Sequence, residues 1–172
     1  QVTSAPGQGS TFWFEAAFPA SYIADAPLSA QPRDIVGYTA DRPLKLLVVD
    51  NQADIRLMLF HLLAPLGLDV TLAENGQDGV QKAQETHPDG ILMDLVMPVM
   101  TGFEAVQLLR QQPEFQQTPI IAMSASVSGM DREQSLTAGC NAFVSKPIET
   151  QKLFDVLARL LSIVWIYAET PT

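Results

Sequence analysis

Apolar residues change their spacing along this chain. Short unbroken runs, Leu46-Leu47-Val48-Val49, Gly90-Ile91-Leu92-Met93 and Ala142-Phe143-Val144, alternate with stretches where apolar residues return every third or fourth position. The runs are short and carry no polar alternation, so they read as strands buried on both faces. From Leu44 onward the pattern predicts strands near 45–49, 68–73, 89–93, 118–123 and 141–144. Helices are predicted near 52–66, 76–87, 101–112, 129–138 and 149–161. The first helix gathers Ile55, Leu59, Leu62, Leu63 and Leu66 on one face, and the last gathers Leu153, Phe154, Leu157, Leu160 and Leu161. Asn75-Gly76 and Pro88-Asp89 mark turns between elements.

Strands and helices that alternate in this way build an α/β fold, a doubly wound five-stranded parallel sheet. The expected strand order is 2-1-3-4-5, the flavodoxin-like (βα)5 arrangement, with any ligand outside the carboxyl ends of the strands at the switch point. The residues at those ends are Asp50-Asn51, Asp94, Ser124 and Lys146-Pro147. Two carboxylates and one ammonium therefore converge at one sheet edge, an arrangement suited to a divalent cation and a phosphoryl group.

Residues 1–43 have a different texture, rich in Ala, Ser, Pro and Gly. Within them "STFWFEAAF" reads as a strand bounded by "PGQG" and Pro19, and residues 21–43 read as linker with one apolar island, Ile35-Val36-Gly37-Tyr38. Residues 162–172 form a C-terminal extension in which Trp165 and Tyr167 alternate with aliphatics. "DIVGY" and "IVWIY" are expected to add short strands at the margin, paired with each other or with "TFWFE". An isolated hairpin is marginal, so they should lean on the domain or on a neighbouring molecule, and a homodimer is one assembly this allows.

The chain has 172 residues, enough for one domain with extensions, and 47% of them are hydrophobic. Its net charge of −9 disfavours nucleic acid or an anionic membrane as a direct partner, since both need a basic footprint. The single cysteine, Cys140, permits no internal disulfide, and together with the lack of a bilayer-length apolar stretch or signal-peptide pattern this predicts a cytoplasmic fragment. A longer parent chain could still be membrane-anchored. His61 and His87 have no His or Cys partner at metal-ligand spacing and read as ordinary helix residues.

The segments "LLVVDN", "ILMDLVMP", "PIIAMSA" and "AFVSKPI", in this order, resemble the receiver domain of two-component response regulators across residues 44–161. The resemblance implies that Asp94 accepts a phosphoryl group from a phosphohistidine and that Lys146 and Ser124 contact the phosphoryl oxygens. It implies Mg2+ held by Asp50, Asp94, the residue at Asn51 and the main-chain carbonyl of Val96. It further implies that Lys146-Pro147 is cis and that Ser124 and Phe143 form the switch pair. The family normally carries a second acid where this chain has Asn51, so weaker magnesium binding is expected. Val96 and Ser126 would flank the path of a hydrolytic water, and an apolar Val96 predicts a long-lived aspartyl phosphate. "PGQGSTFWFEAAFP" resembles the last glycine box and terminal strand of a histidine-kinase ATP-binding domain, with Gly7 and Gly9 in a loop near the nucleotide. Residues 1–20 would then be a remnant unable to bind ATP, and the parent a hybrid sensor histidine kinase. The partners implied are a kinase phosphohistidine domain or a histidine phosphotransfer protein.

Other readings differ in class. A pseudo-receiver, acting only as an interaction module, is favoured by Asn51 and opposed by Asp50, Asp94, Ser124 and Lys146. An Asp-nucleophile phosphohydrolase needs a second acid two residues after the nucleophile, where Val96 stands. A flavodoxin needs a phosphate-cradling loop after the first strand, where "DNQAD" is acidic.

Overall fold

A computed structural model describes residues 2–5, 9–12, 34–125 and 129–168. It divides into two compact units, Gln1–Pro32 and Arg33–Thr172. In the first, β1 (Val2–Ala5) and β2 (Gly9–Phe12) pair antiparallel, with Val2 opposite Phe12 and Ala5 opposite Gly9. The strand expected in "STFWFEAAF" is seen as far as Phe12; Gly7 and the rest of that segment lie outside the described residues.

The second unit contains β3 (Ile35–Thr39), β4 (Lys45–Val49), α1 (Ala53–Leu63), β5 (Asp69–Ala73), α2 (Gly76–Thr86), β6 (Gly90–Asp94), α3 (Gly102–Arg110), β7 (Ile120–Ser124), α4 (Gly129–Ala138), β8 (Ala142–Ser145), α5 (Thr150–Leu161) and β9 (Val164–Tyr167). Strands β5-β4-β6-β7-β8 form one five-stranded sheet in that order, every neighbouring pair parallel. This is the 2-1-3-4-5 order expected from the alternation of elements.

Each central strand sends alternate side chains to opposite faces. Leu46, Val48, Leu92, Ile121 and Met123 pack with Leu59 and Leu63 of α1 and Leu153, Phe154 and Leu157 of α5. Leu47, Val49, Ile91, Met93, Ile120 and Ala122 pack with Ala83 of α2 and Ala105, Val106 and Leu109 of α3. Burial on both faces is why these strands read as unbroken apolar runs.

Local chemistry sets the element ends. The predicted first helix stops early: beyond Leu63 its last turn is a 3-10 turn, Ala64–Leu66, closed by Gly67 at φ +99°. Pro65 supplies no N–H to continue the α ladder. Asn75 caps α2 by accepting from the Asp78 N–H at 2.9 Å. Thr101 and Glu104 form a capping box at α3. The Thr101 hydroxyl and N–H both donate to Glu104, which holds its carboxyl below the usual range.

Two features outside the apolar pattern hold the far side together. Arg110, at the end of α3, donates to the carbonyls of Phe115, Thr118 and Gly139 and to the Asn141 side chain. One guanidinium thus satisfies carbonyls from loops on both sides of β7. Beside it, Cys140 is buried, and burial pushes its thiol up to about 12. A thiol in that environment is inert, a packing residue rather than a reactive one.

The apolar island at 35–38 is a strand. β3 pairs antiparallel with β9, Tyr38 opposite Trp165 and Thr39 opposite Val164, with a register shift between Ile35 and Gly37. Trp165 is buried, packs on Phe154 and Tyr38, and donates its indole N–H to the Phe154 carbonyl at 2.9 Å. The Tyr38 hydroxyl donates to Gly67 and accepts from the Leu44 N–H. The ribbon therefore leans on the α1–α5 core, as two short apolar strands must to persist.

Candidate functional site

The carboxyl ends of four adjacent strands deliver the site. β4 is followed by Asp50, β6 ends on Asp94, β7 ends on Ser124, and β8 leads into Lys146. Asp50, Asp94 and Ser124 are all buried. The Lys146 ammonium bridges both acids, 2.7 Å from Asp50 Oδ2 and 2.8 Å from Asp94 Oδ2.

Backbone groups fix the acids in place. Asp50 Oδ1 accepts from the Gln52 N–H at 2.9 Å, and Asp94 Oδ1 accepts from the Val96 N–H at 3.2 Å. The Asp50 N–H donates to Ala73, and its carbonyl accepts from the Arg56 guanidinium at 2.6 Å. The Lys146 N–H donates to the Ser124 carbonyl at 2.7 Å, so Lys146 and Ser124 are tied through the main chain. The Lys146-Pro147 bond is cis, as the sequence motif implied.

Asn51 and Val96 stand on the rim. Asn51 is exposed, and Val96 is 71% exposed beside the mouth. Phe143 is half-buried and packs on the α2–α3 side of the core. Ser126, expected to flank the water path, lies outside the described residues. Arg56 and Gly102 escaped the sequence reading. Arg56 sits on a helix face with nothing in its spacing to mark it. Gly102 falls at the start of the helix predicted near 101–112 with nothing in the spacing to mark it, yet a Cβ there would overlap the Asp94 carbonyl oxygen and stand 2.8 Å from Leu95 Cα.

The donor set suits a hard divalent cation. Asp50 Oδ2 is buried and takes part in no hydrogen bond, although Lys146 lies within ion-pair distance. That oxygen keeps lone pairs for a metal. Two carboxylates against one ammonium leave one net negative charge. Magnesium is commonly held by one or two carboxylates with water completing its shell. Among the described residues no group of three or more His, Cys, Asp or Glu is placed to hold a metal, consistent with an amide at Asn51.

The family described as the response regulator receiver domain matches residues 46–158. The chain belongs to that family. Residues of this receiver domain are 39% identical over 125 positions to hybrid signal transduction histidine kinase G of Dictyostelium discoideum, covering 70% of this chain and 4% of that protein. They are 38% identical over 112 positions to the histidine-protein kinase BarA of Escherichia coli K12, covering 65% of this chain and 12% of BarA. The chain thus spans a small part of the two histidine kinases it matches. Among solved structures, the receiver domain of sensor histidine kinase PA1611 from Pseudomonas aeruginosa PAO1 is 32% identical, with a TM-score of 0.65 over 70% of this chain and 98% of that one. That structure holds a magnesium ion coordinated in its active site cleft. The chemotaxis protein CheY4 of Vibrio cholerae is 34% identical, with a TM-score of 0.66 over 69% of this chain and 98% of that one.

Proposed function

We propose that this receiver domain takes a phosphoryl group from a phosphohistidine onto Asp94, in a magnesium-dependent step of a phosphorelay. The observation that carries the reading is the Lys146 ammonium shared between two buried carboxylates at the switch point of the sheet. An Asp94 carboxylate oxygen attacks phosphorus in line and forms the acyl phosphate bond. The P–N bond breaks, and the imidazole nitrogen leaves with the electron pair. Lys146 then turns from the Asp94 carboxylate to the new phosphoryl oxygens, and the Ser124 hydroxyl donates to another. Asp50, Asp94, the Val96 carbonyl and the Asn51 amide oxygen would hold magnesium, which supplies charge neutralisation for the transferring oxygens.

The donor is a kinase phosphohistidine domain or a histidine phosphotransfer protein. The parent is a hybrid sensor histidine kinase, residues 1–20 are the remnant of its ATP-binding domain, and the setting is the cytoplasm. Similarity to a hybrid histidine kinase and to a second histidine kinase supports this placement. Among the described residues no helix is long and apolar enough to cross a membrane. The test is incubation with magnesium and acetyl phosphate followed by intact-mass measurement. A single added phosphoryl group is expected. No added mass at saturating magnesium would favour the second reading, a phosphorylation-independent interaction module, whose one supporting observation is the neutral Asn51.

Magnesium should bind more weakly than in receivers with two acids after the first strand. Asn51→Asp adds a charge at the rim of the cleft, where solvent screens only part of it. It should tighten binding roughly tenfold on titration. An unchanged affinity would remove Asn51 from the ligand set.

The aspartyl phosphate should persist. The Val96 side chain offers no hydrogen bond to a water approaching in line with phosphorus, although its backbone N–H sits against Asp94. Val96→Asn is expected to shorten the lifetime of the phosphorylated form, followed by mass. Equal decay of the two proteins would show that Val96 is not the brake.

A further inference from the structure

Arg56 lies near the start of α1 and aims its guanidinium back at the end of β4. Its Nη1 donates to the Asp50 carbonyl at 2.6 Å, and the residue is half-buried. Other partners stand nearby. Glu74 and Asp78 border the same polar hollow, yet among the described residues Arg56 forms an ion pair with neither. Its hydrogen bond goes to a main-chain carbonyl, so its effect falls on the backbone at Asp50.

That carbonyl belongs to the peptide unit joining Asp50 to Asn51. A peptide unit is planar and turns as one body. The other contacts of Asp50 hold its N–H, through Ala73, and its carboxylate, through the Gln52 N–H and Lys146. Arg56 holds the peptide plane itself. Turning that plane would carry Asn51 and the Gln52 N–H away from the Asp50 carboxylate. It would loosen the bond to Asp50 Oδ1 and misaim Asn51 together. We infer that Arg56 is a positioning residue for the metal side of the site, holding the 50–51 peptide so that the Asp50 carboxylate and the Asn51 amide face one magnesium ion. The inference rests on the proposed magnesium-dependent function.

Charge and position act in opposite directions here. Asp50 and Asp94 carry two negative charges and Lys146 and Arg56 two positive ones, so the four sum to zero. Removing the guanidinium charge alone should tighten the binding of a cation. Removing the contact should weaken it, because partners that orient metal ligands typically set affinity by about 10–100-fold. The sign of the change therefore separates the two roles.

Isothermal titration of magnesium into the full chain tests this, with thermal melting to confirm that each variant is folded. Arg56→Met keeps the aliphatic stem and loses the donors, and it should bind magnesium about tenfold more weakly. Arg56→Lys keeps a donor and should recover part of the loss. Lys82→Met removes a cation from the same hollow, where Lys82 donates to the Leu72 carbonyl and Asp78, and should bind at least as tightly as the parent. In labelling by acetyl phosphate, raising magnesium should restore most of the rate that Arg56→Met loses. Unchanged or tighter binding by Arg56→Met overturns the inference, as does equal weakening by Lys82→Met or a labelling defect that added magnesium does not relieve. A parent that binds magnesium but takes up no phosphoryl group overturns the proposed phosphoryl transfer alone, and the binding data on the variants still decide the role of Arg56. A parent that binds no magnesium overturns both.

Discussion

Asp94→Asn is expected to abolish phosphoryl uptake while leaving the fold as stable as the parent. The amide matches the carboxylate in size and keeps an oxygen for the Val96 N–H; its NH2 then replaces the oxygen that accepted from Lys146, which turns to Asp50, and it has no nucleophilic oxygen for phosphorus. Intact mass after incubation with acetyl phosphate should show no addition, against one in the parent. Stability should move by no more than about 1 kcal/mol, because buried ion pairs add little net stability and the substitution leaves no charge unpaired. In the parent, Lys146 answers two buried acids at once; in the variant it pairs one-to-one with Asp50. Magnesium binding should weaken in parallel. Labelling that persists in the variant would place the acceptor elsewhere.

Gly102→Ala should damage both stability and function from a position that never touches the phosphoryl group. Gly102 opens α3, and its N–H donates to the Leu95 carbonyl at 3.1 Å. The added carbon would collide with the Asp94 carbonyl oxygen and crowd the Asp94 carbonyl carbon at 2.9 Å. Those atoms are backbone and cannot rotate away. The peptide after Asp94 must shift, at a cost of about 3 kcal/mol for overpacking a close-packed site. A shift of that kind misaims the carboxylate, and misplacement by about 1 Å costs roughly a hundredfold in rate. Chemical denaturation and the rate of labelling by acetyl phosphate measure the two effects. Gly37→Ala is the matched control, since its added carbon would meet nothing nearer than Leu66 O at 3.8 Å. Parent-like behaviour of Gly102→Ala would show that the α3 start yields more easily than its packing indicates.

The parallel sheet and the convergence of Asp50, Asp94, Ser124 and Lys146 were legible in the sequence for a physical reason. Strands buried on both faces must be apolar throughout, so a carboxylate or ammonium at the end of such a run is conspicuous. Helix ends were less legible, because they depend on single residues: Pro65 turned the last predicted turn of α1 into a 3-10 turn. The pairing of "DIVGY" with "IVWIY" could be anticipated from their apolar character. Its register could not, since the shift between Ile35 and Gly37 has no signature in spacing. Arg56, Arg110 and Gly102 were illegible for a different reason. Each matters through atoms distant in sequence, a carbonyl at Asp50, the loops at Phe115 and Gly139, and the backbone at Asp94. A single sequence does not encode which distant backbone a side chain will meet.

The Ala168 N–H donates to the Asp34 carbonyl at 2.8 Å, closing the open end of the β3–β9 ribbon. The path into the receiver and the path out of it therefore run side by side. In any longer chain the domain would hang as a side loop, its two strands of entry and exit zipped together like the neck of a bag. Tension along the chain would load the ribbon's hydrogen bonds one after another, beginning with Asp34 and Ala168, before any reached the five-stranded sheet. The ribbon would open first, and Asp50, Asp94 and Lys146 would be shielded from the pull.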